Sequence, residues 1–284
     1  MVKLVMADLD DTLIPFGADH ASARAISAIH SLLDAGIHFG PVTGRIPATM
    51  EWMFQGDMAC YQTGAFANGQ IVTVDGKTIQ RVMISGEELR KVAVSLDNMD
   101  IDAWLAVYNP EDLKDANLVT RFPERVKANP PETWGKSVFG IVSDVLDREY
   151  LKANIQCSCS RDQMILIRDR LRELVPELSF VMPSMTAKVV DVNAGEWDKG
   201  DSVRLIANYL GISLEEVVVF GDSENDLPMI EAVPDSVAVA NADNSVLQSA
   251  RWKISDAKDD SVAKAIERIA MYPRKSIEES LKAI

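Results

Sequence analysis

At 284 residues the chain is long enough for two domains with cores of their own, or for one large domain carrying an insertion. A composition of 47% hydrophobic and 25% charged residues, with no low-complexity tract, excludes a disordered or fibrous chain. The formal net charge of -14 argues against a nucleic-acid partner, which needs a basic face, and no apolar run is long enough to span a bilayer.

Cys60, Cys157 and Cys159 fit neither a zinc ribbon nor a redox CxxC pair, so they read as reduced thiols of a cytoplasmic protein. The chain opens directly on an apolar run, which leaves no room for a signal peptide. That run, Leu4, Val5, Met6 and Ala7, is the mark of a strand covered on both faces, as in a parallel sheet. Asp8 and Asp10 follow two positions apart, so both side chains leave on one side at the strand's carboxyl end, where open α/β sheets place ligands. Taken alone, DLDDTL fits either a catalytic carboxylate pair or a solvated acidic turn. A calcium loop is the weaker reading, because Gly is missing from its sixth position and Glu from its twelfth.

Residues 19–35 read as a helix ended by Gly36, and residues 37–42 as a second buried strand, so the opening is a β-α-β unit. The strand ends in Thr43-Gly44-Arg45, whose hydroxyl and amide are the parts that hold phosphate oxygens. The same tripeptide equally suits a plain turn capped by Thr43. A third strand is expected at 59–63, then a hairpin with turns at Asn68-Gly69 and Asp75-Gly76 and no chemistry of its own.

Ser85 with Glu88 forms a capping box for a helix to about residue 99. Strands follow at 101–108, 138–142, 155–159, 178–181 and 188–192, with a helix at 162–174. This stretch reads as an inserted α+β domain, because the acidic pair before it lacks partners that come only after it. Those partners are Asp198-Lys199-Gly200 and the cluster Asp222, Asn225 and Asp226. Lys199 opens a helix against the dipole preference, which hints at function. The cluster follows the apolar strand Val217 to Phe220, and three polar ligands in five positions exceed what a helix cap needs. Short strands at 236–239 and 252–254 and helices at 261–269 and 276–284 close the chain.

Together, DLDDTL, TGR, DKG after a long insertion, and GDSENDLPMI followed by VAVANADNSVLQSA resemble the haloacid dehalogenase superfamily of phosphohydrolases. The likeness is closest to its Cof-type branch, subclass IIB, and covers residues 2 to about 270. It implies an α/β fold: a Rossmann-like parallel-sheet core from residues 1–83 and 185–284, with residues 84–184 as an inserted α/β cap that supplies substrate-selecting side chains. It also implies a Mg²⁺-dependent phosphatase that hydrolyses a small phosphate monoester, a sugar phosphate or similar metabolite, through an aspartyl phosphate. Asp8 would be the nucleophile and Asp10 the general acid and base. The resemblance puts Mg²⁺ on Asp8, the Asp10 carbonyl and Asp222, with Asp226 anchoring the metal's waters, and the phosphate on Thr43, Gly44, Lys199 and Asn225. Thr12 would brace the acidic loop.

A phosphomutase acting on a hexose phosphate would use the same pair and is the alternative reading. A signalling receiver is disfavoured, since it is much shorter and lacks a second acid two positions after its acceptor. One departure stands out: GEWDKG places Trp197 and Asp198 where a small-residue turn is usual, which bears on substrate size rather than on chemistry. No readable motif assigns the natural substrate or the oligomeric state.

Overall fold

The structure is a computed structural model that describes residues 1–109, 111–183, 187–273, 276–282 and 284. It divides into two compact units, one formed by Met1–Gln80 with Asp198–Ile284, the other by Arg81–Trp197.

In chain order the first unit begins with β1 (Leu4–Ala7), α1 (Ala23–Asp34) and β2 (His38–Pro41), followed by the three-stranded meander β3 (Gly64–Phe66), β4 (Ile71–Val74) and β5 (Lys77–Arg81), whose last residue crosses into the second unit. The inserted unit carries β6 (Ile84–Ser85), α2 (Gly86–Asp97), β7 (Ala103–Tyr108), β8 (Ala116–Val119), α3 (Pro123–Ala128), β9 (Val138–Val142), β10 (Glu149–Tyr150), β11 (Ala153–Cys157), α4 (Arg161–Leu174), β12 (Leu178–Val181) and β13 (Val189–Ala194). The chain then returns through α5 (Lys199–Tyr209), β14 (Val217–Gly221), α6 (Leu227–Ala232), β15 (Asp235–Val239), α7 (Asn244–Ser249), β16 (Trp252–Ile254), α8 (Ser261–Met271) and α9 (Ile277–Leu281).

The first unit is built on a five-stranded parallel sheet in the order β16-β15-β14-β1-β2. Its two central strands are apolar without interruption, and Leu4, Val5, Met6, Ala7 and Val217 to Phe220 are all fully buried. Such strands cannot stand at an edge or face water, and each large side chain contributes about 1.5–3 kcal/mol by leaving it. α1 packs on α8 and α5 on α6. Ser22 joins the first pair: its hydroxyl accepts the Ala25 N–H as the cap of α1 and donates to Asp260 at 3.0 Å, ahead of α8. The carboxylate of Asp260 is therefore spent on a tertiary contact instead of capping its own helix.

The second unit has a six-stranded mixed sheet, β12-β13-β11-β7-β8-β9. One face, with Leu105, Val107, Ile155, Val190 and Val192, forms a core with Leu89 and Val92 of α2 and Met164 and Ile167 of α4. A smaller apolar cluster of Trp104, Ala106, Tyr108, Leu118, Val126 and Val138 involves other residues of the same sheet.

The expectations at residues 59–63 and at Ser85 change. Residues 59–63 do not form a strand: Asp57 accepts the Ala59 N–H and starts a 3-10 turn at Met58–Cys60, so pairing begins at Gly64. The expected return to the core at 184/185 lies outside the described residues, and the structural division falls at 197/198, because β13 pairs with both β11 and β12. Ser85 caps α2 through the N–H of Glu87 rather than as a box with Glu88. No helix among the described residues is long and apolar enough to cross a membrane.

Candidate active site

Strand register decides what meets. β1 lies between β14 and β2, with Ala7 level with Phe220 on one side and Pro41 on the other. The ladder runs one step further, as the Asp8 N–H donates to the Phe220 carbonyl at 3.0 Å and the Val42 N–H to the Ala7 carbonyl at 2.8 Å. Asp8, Thr43 and Asp222 therefore emerge from three adjacent strand tips at nearly one height, where a parallel sheet fans its loops.

Lys199 joins them from α5. It is the first residue of a helix whose cap, Asp198, shares reciprocal hydrogen bonds with Asp201, and the side chain is wholly buried. Its Nζ lies 2.6 Å from Asp8 Oδ1 and 2.6 Å from Asp226 Oδ1. The second oxygen of Asp226 accepts the backbone N–H groups of Asp222 (2.9 Å) and Ser223 (3.1 Å), so this carboxylate holds both the ammonium and the loop after β14. Gly221 makes that closure possible, because a Cβ there would sit 2.7 Å from the Cβ of Asp226. Asp222 is fixed from the neighbouring strand tip by the Thr12 hydroxyl, which donates to its Oδ1 at 2.8 Å.

One carboxylate oxygen from each of Asp8, Asp222 and Asp226 lies within 4.8 Å of the others. Three buried acids facing one ammonium leave negative charge uncompensated, and the protonation equilibria record it. Burial, with the charges of Asp226 and Asp10, pushes the Asp8 carboxyl up to about 8 against the pull of Lys199. Burial and the charges of Asp226 and Asp8 likewise hold the Asp222 carboxyl well above the ordinary range. Burial alone would lower the Lys199 ammonium, but Asp226 and Asp8 outweigh it and raise it. A hard divalent cation suits this donor set, since oxygen ligands and surplus negative charge are what Mg²⁺ takes.

Asp10 is placed differently from its partner in the pair. Its side chain is 40% exposed and gripped by both arms of the Arg45 guanidinium, at 2.7 and 2.9 Å. It does not belong to the close carboxylate group formed by the other three acids. Asp11 beside it adopts φ 62, a conformation Asp tolerates better than most residues, and its carbonyl accepts from Asn241 Nδ2 at 2.7 Å.

Thr43 is fully buried, with its hydroxyl accepting the Arg45 N–H at 3.1 Å across Gly44. Asn225 is buried too; its Oδ1 accepts from the Ser223 hydroxyl at 3.0 Å and its Nδ2 donates to Asn68 Oδ1 at 3.1 Å. Arg45 and Asn68 are the residues that reading the sequence passed over. Arg45 was visible as the end of TGR, and its bulk and charge beside a phosphate-type loop were the missed signal. Asn68 sat in a turn that promised no chemistry. Its N–H donates to the Thr43 carbonyl at 2.9 Å, and Gly69 follows with φ 94, where a Cβ would meet the Asp198 carbonyl at 2.7 Å. The turn is thus wedged between the second and third motifs.

The sequence profile of the haloacid dehalogenase-like hydrolases matches residues 5–266. A Haemophilus influenzae protein whose phosphatase designation is provisional is 27% identical over 273 residues, 94% of this chain and 98% of that protein. Among solved structures, SMU.1108c from Streptococcus mutans superposes with a TM-score of 0.79 at 17% identity, covering 95% of this chain and 100% of that one. The subclass IIB sugar phosphatase BT4131 does so with a TM-score of 0.72 at 19% identity, covering 95% and 100%. These structural likenesses establish the shared fold. Because the profile spans nearly the whole sequence and every motif around the buried carboxylates, the chain belongs to the haloacid dehalogenase-like hydrolases, as a phosphoric monoester hydrolase.

Proposed function

We propose that the chain is a Mg²⁺-dependent phosphatase of small phosphorylated metabolites, sugar phosphates foremost, working through an aspartyl phosphate on Asp8. The observation that supports this most directly is the Asp8 carboxylate, 2.6 Å from a fully buried ammonium and flanked by Asp222 and Asp226. An aspartate so held has one oxygen engaged by Lys199 and a second available for bond formation. In the first step Asp8 forms a bond to phosphorus while the ester P–O bond breaks, and Asp10 gives its proton to the departing alkoxide. In the second step Asp10 takes a proton from water, whose oxygen attacks phosphorus; phosphate leaves and the Asp8 carboxylate is restored.

Lys199 lowers the cost of bringing a phosphate dianion to a carboxylate, and Thr43 with the Gly44 amide orients its oxygens. Asn225, tied to Asn68 and Ser223, contributes its amide to the same loop. Asp8, the Asp10 carbonyl and Asp222 would hold Mg²⁺, with Asp226 behind them; bound there, the ion supplies positive charge to neutralise both nucleophile and phosphate. Arg45 holds Asp10 at the rim until substrate arrives. The inserted unit is the substrate-selecting cap on this reading. The choice of sugar phosphates draws on the activity named for BT4131.

The test is a panel of metabolite phosphates together with p-nitrophenyl phosphate, assayed for free phosphate with and without Mg²⁺. Wild-type protein is expected to release phosphate only with the ion, and Asp8→Asn to release none while keeping its circular dichroism spectrum. Near-parental turnover by Asp8→Asn would remove the nucleophile assignment.

A further inference from the structure

A second set of unlike donors, sharing no residue with the carboxylate cluster, lies where α1 meets the turn Met58–Cys60. His30 projects from the outer side of α1, and its Nε2 is 2.6 Å from Asp57 Oδ2. Asp57 is held independently of that contact, since its other oxygen accepts the Ala59 N–H at 3.2 Å as the cap of the turn. The turn then brings Cys60 up from the core side. Its sulfur and one donor atom each of His30 and Asp57 all lie within 4.8 Å of one another. The set runs from the interior to solvent: Cys60 is fully buried, whereas the side chains of Asp57 and His30 are 30% and 46% exposed.

The three together make a mixed sulfur, nitrogen and oxygen donor set. That set suits a borderline ion such as Zn²⁺ or Co²⁺ and is ill suited to Mg²⁺, which takes oxygen. The spacing is compatible: ligand atoms about 2.0–2.3 Å from a tetrahedral ion sit roughly 3.3–3.8 Å apart. The His30–Asp57 separation therefore has to open by about 1 Å, and the sulfur, within 4.8 Å of both partners, has to close by up to about the same amount.

We propose that His30, Asp57 and Cys60 bind one zinc-type divalent ion, with water as the fourth ligand on the solvent side. Binding releases the thiol proton to solvent and replaces the His30–Asp57 hydrogen bond by two metal bonds. The ion would cross-link α1 to the connection between β2 and β3, the segment that also carries Thr43.

Co²⁺ added to the metal-free, full-length protein is the probe, because thiolate ligation gives a sulfur-to-cobalt charge-transfer band that oxygen ligands cannot. The expected result is one equivalent of such a band, displaced by Zn²⁺, indifferent to excess Mg²⁺, and retained in the Cys157→Ser/Cys159→Ser double variant and in Asp222→Asn. Cys60→Ser should abolish it. His30→Gln, at an exposed position that leaves the fold alone, should weaken Co²⁺ binding by more than the roughly 10–100-fold that loss of an outer partner costs. Absence of the band, its persistence in His30→Gln at parental affinity, its loss with Cys157 and Cys159, or its displacement by Mg²⁺ would each overturn the proposal.

Discussion

Lys199 is a small case of electrostatic necessity. A lysine is almost never fully buried without partners, and here it has two carboxylates at 2.6 Å. Removing it does not relax the site; it leaves Asp8 and Asp226 buried with no counter-charge. Lys199→Met is therefore expected to lower unfolding stability by about 3–5 kcal/mol, the usual consequence of orphaning a buried charge, and to eliminate turnover. Urea denaturation should show the midpoint falling with an unchanged slope. Asp10 is the contrasting residue, half-buried and forked by Arg45. Asp10→Asn should leave stability nearly untouched and reduce kcat by roughly 10²–10⁴, the range that general acid–base catalysis supplies, with little change in KM. Arg45→Ala should give a smaller loss, and Arg45→Lys should not recover it, since a point charge cannot reproduce the two-armed grip. Steady-state kinetics on p-nitrophenyl phosphate separates the three variants.

At the scale of elements, the loop after β14 is closely packed on its own strand end. The side chain of Asp226 closes directly over Gly221, so Gly221→Ala has to push the one from the other. A cost of about 1–3 kcal/mol follows from such overpacking. Because the displaced group is also the one on Lys199, catalytic loss should accompany the stability loss, measurable as parallel falls in urea midpoint and kcat. If activity survives intact in a destabilised Gly221→Ala, the link between strand end and ammonium is wrong. What could be read from the sequence follows the same division. The apolar runs at Leu4 to Ala7 and Val217 to Phe220 carried the mark of buried parallel strands, and the structure pairs them side by side with the acids at their ends. Asn68 was illegible because its role depends on a turn folding back against α5, which no local spacing encodes. Arg45 was illegible in a different way: its identity was plain, but the partner it selects, Asp10, lies 35 positions away. The turn at Met58–Cys60 looked like a strand because Ala59 and Cys60 are apolar, whereas the Asp57 cap overrides that preference. Where the inserted unit ends has a non-local cause too, since β13 is claimed by strands preceding it in the chain.

For the molecule as a whole, the buried acids impose a pH dependence that runs against the common pattern. An acid whose folded value is raised binds protons in the native state that the unfolded chain has already released. The stability it contributes is complete below its ordinary value of 3.8 and is lost as pH rises through its folded value, about 8 for Asp8. Asp222 acts in the same direction. Acids held down by exposed partners, such as Glu216 beside Lys3 and Asp169 beside Arg168, act oppositely, but they are surface pairs worth little and matter only near the ordinary carboxylate range. The metal-free protein is therefore expected to melt at progressively lower temperature from about pH 5 to about pH 8, a fall deepened by the self-repulsion of a chain of net charge -14. On the proposed function, a divalent ion held by Asp8 and Asp222, with Asp226 behind them, would take over the neutralising task from the protons. It has to displace them at low pH and meets ready carboxylates at high pH. The rise in melting temperature given by a fixed Mg²⁺ concentration should accordingly grow with pH over that window, and should shrink in Asp222→Asn at the alkaline end. Melting curves taken with Mg²⁺ and with a chelator at each pH decide it: a Mg²⁺ increment that is flat across the window, or equal in Asp222→Asn, would mean that the ion does not bind at Asp8 and Asp222.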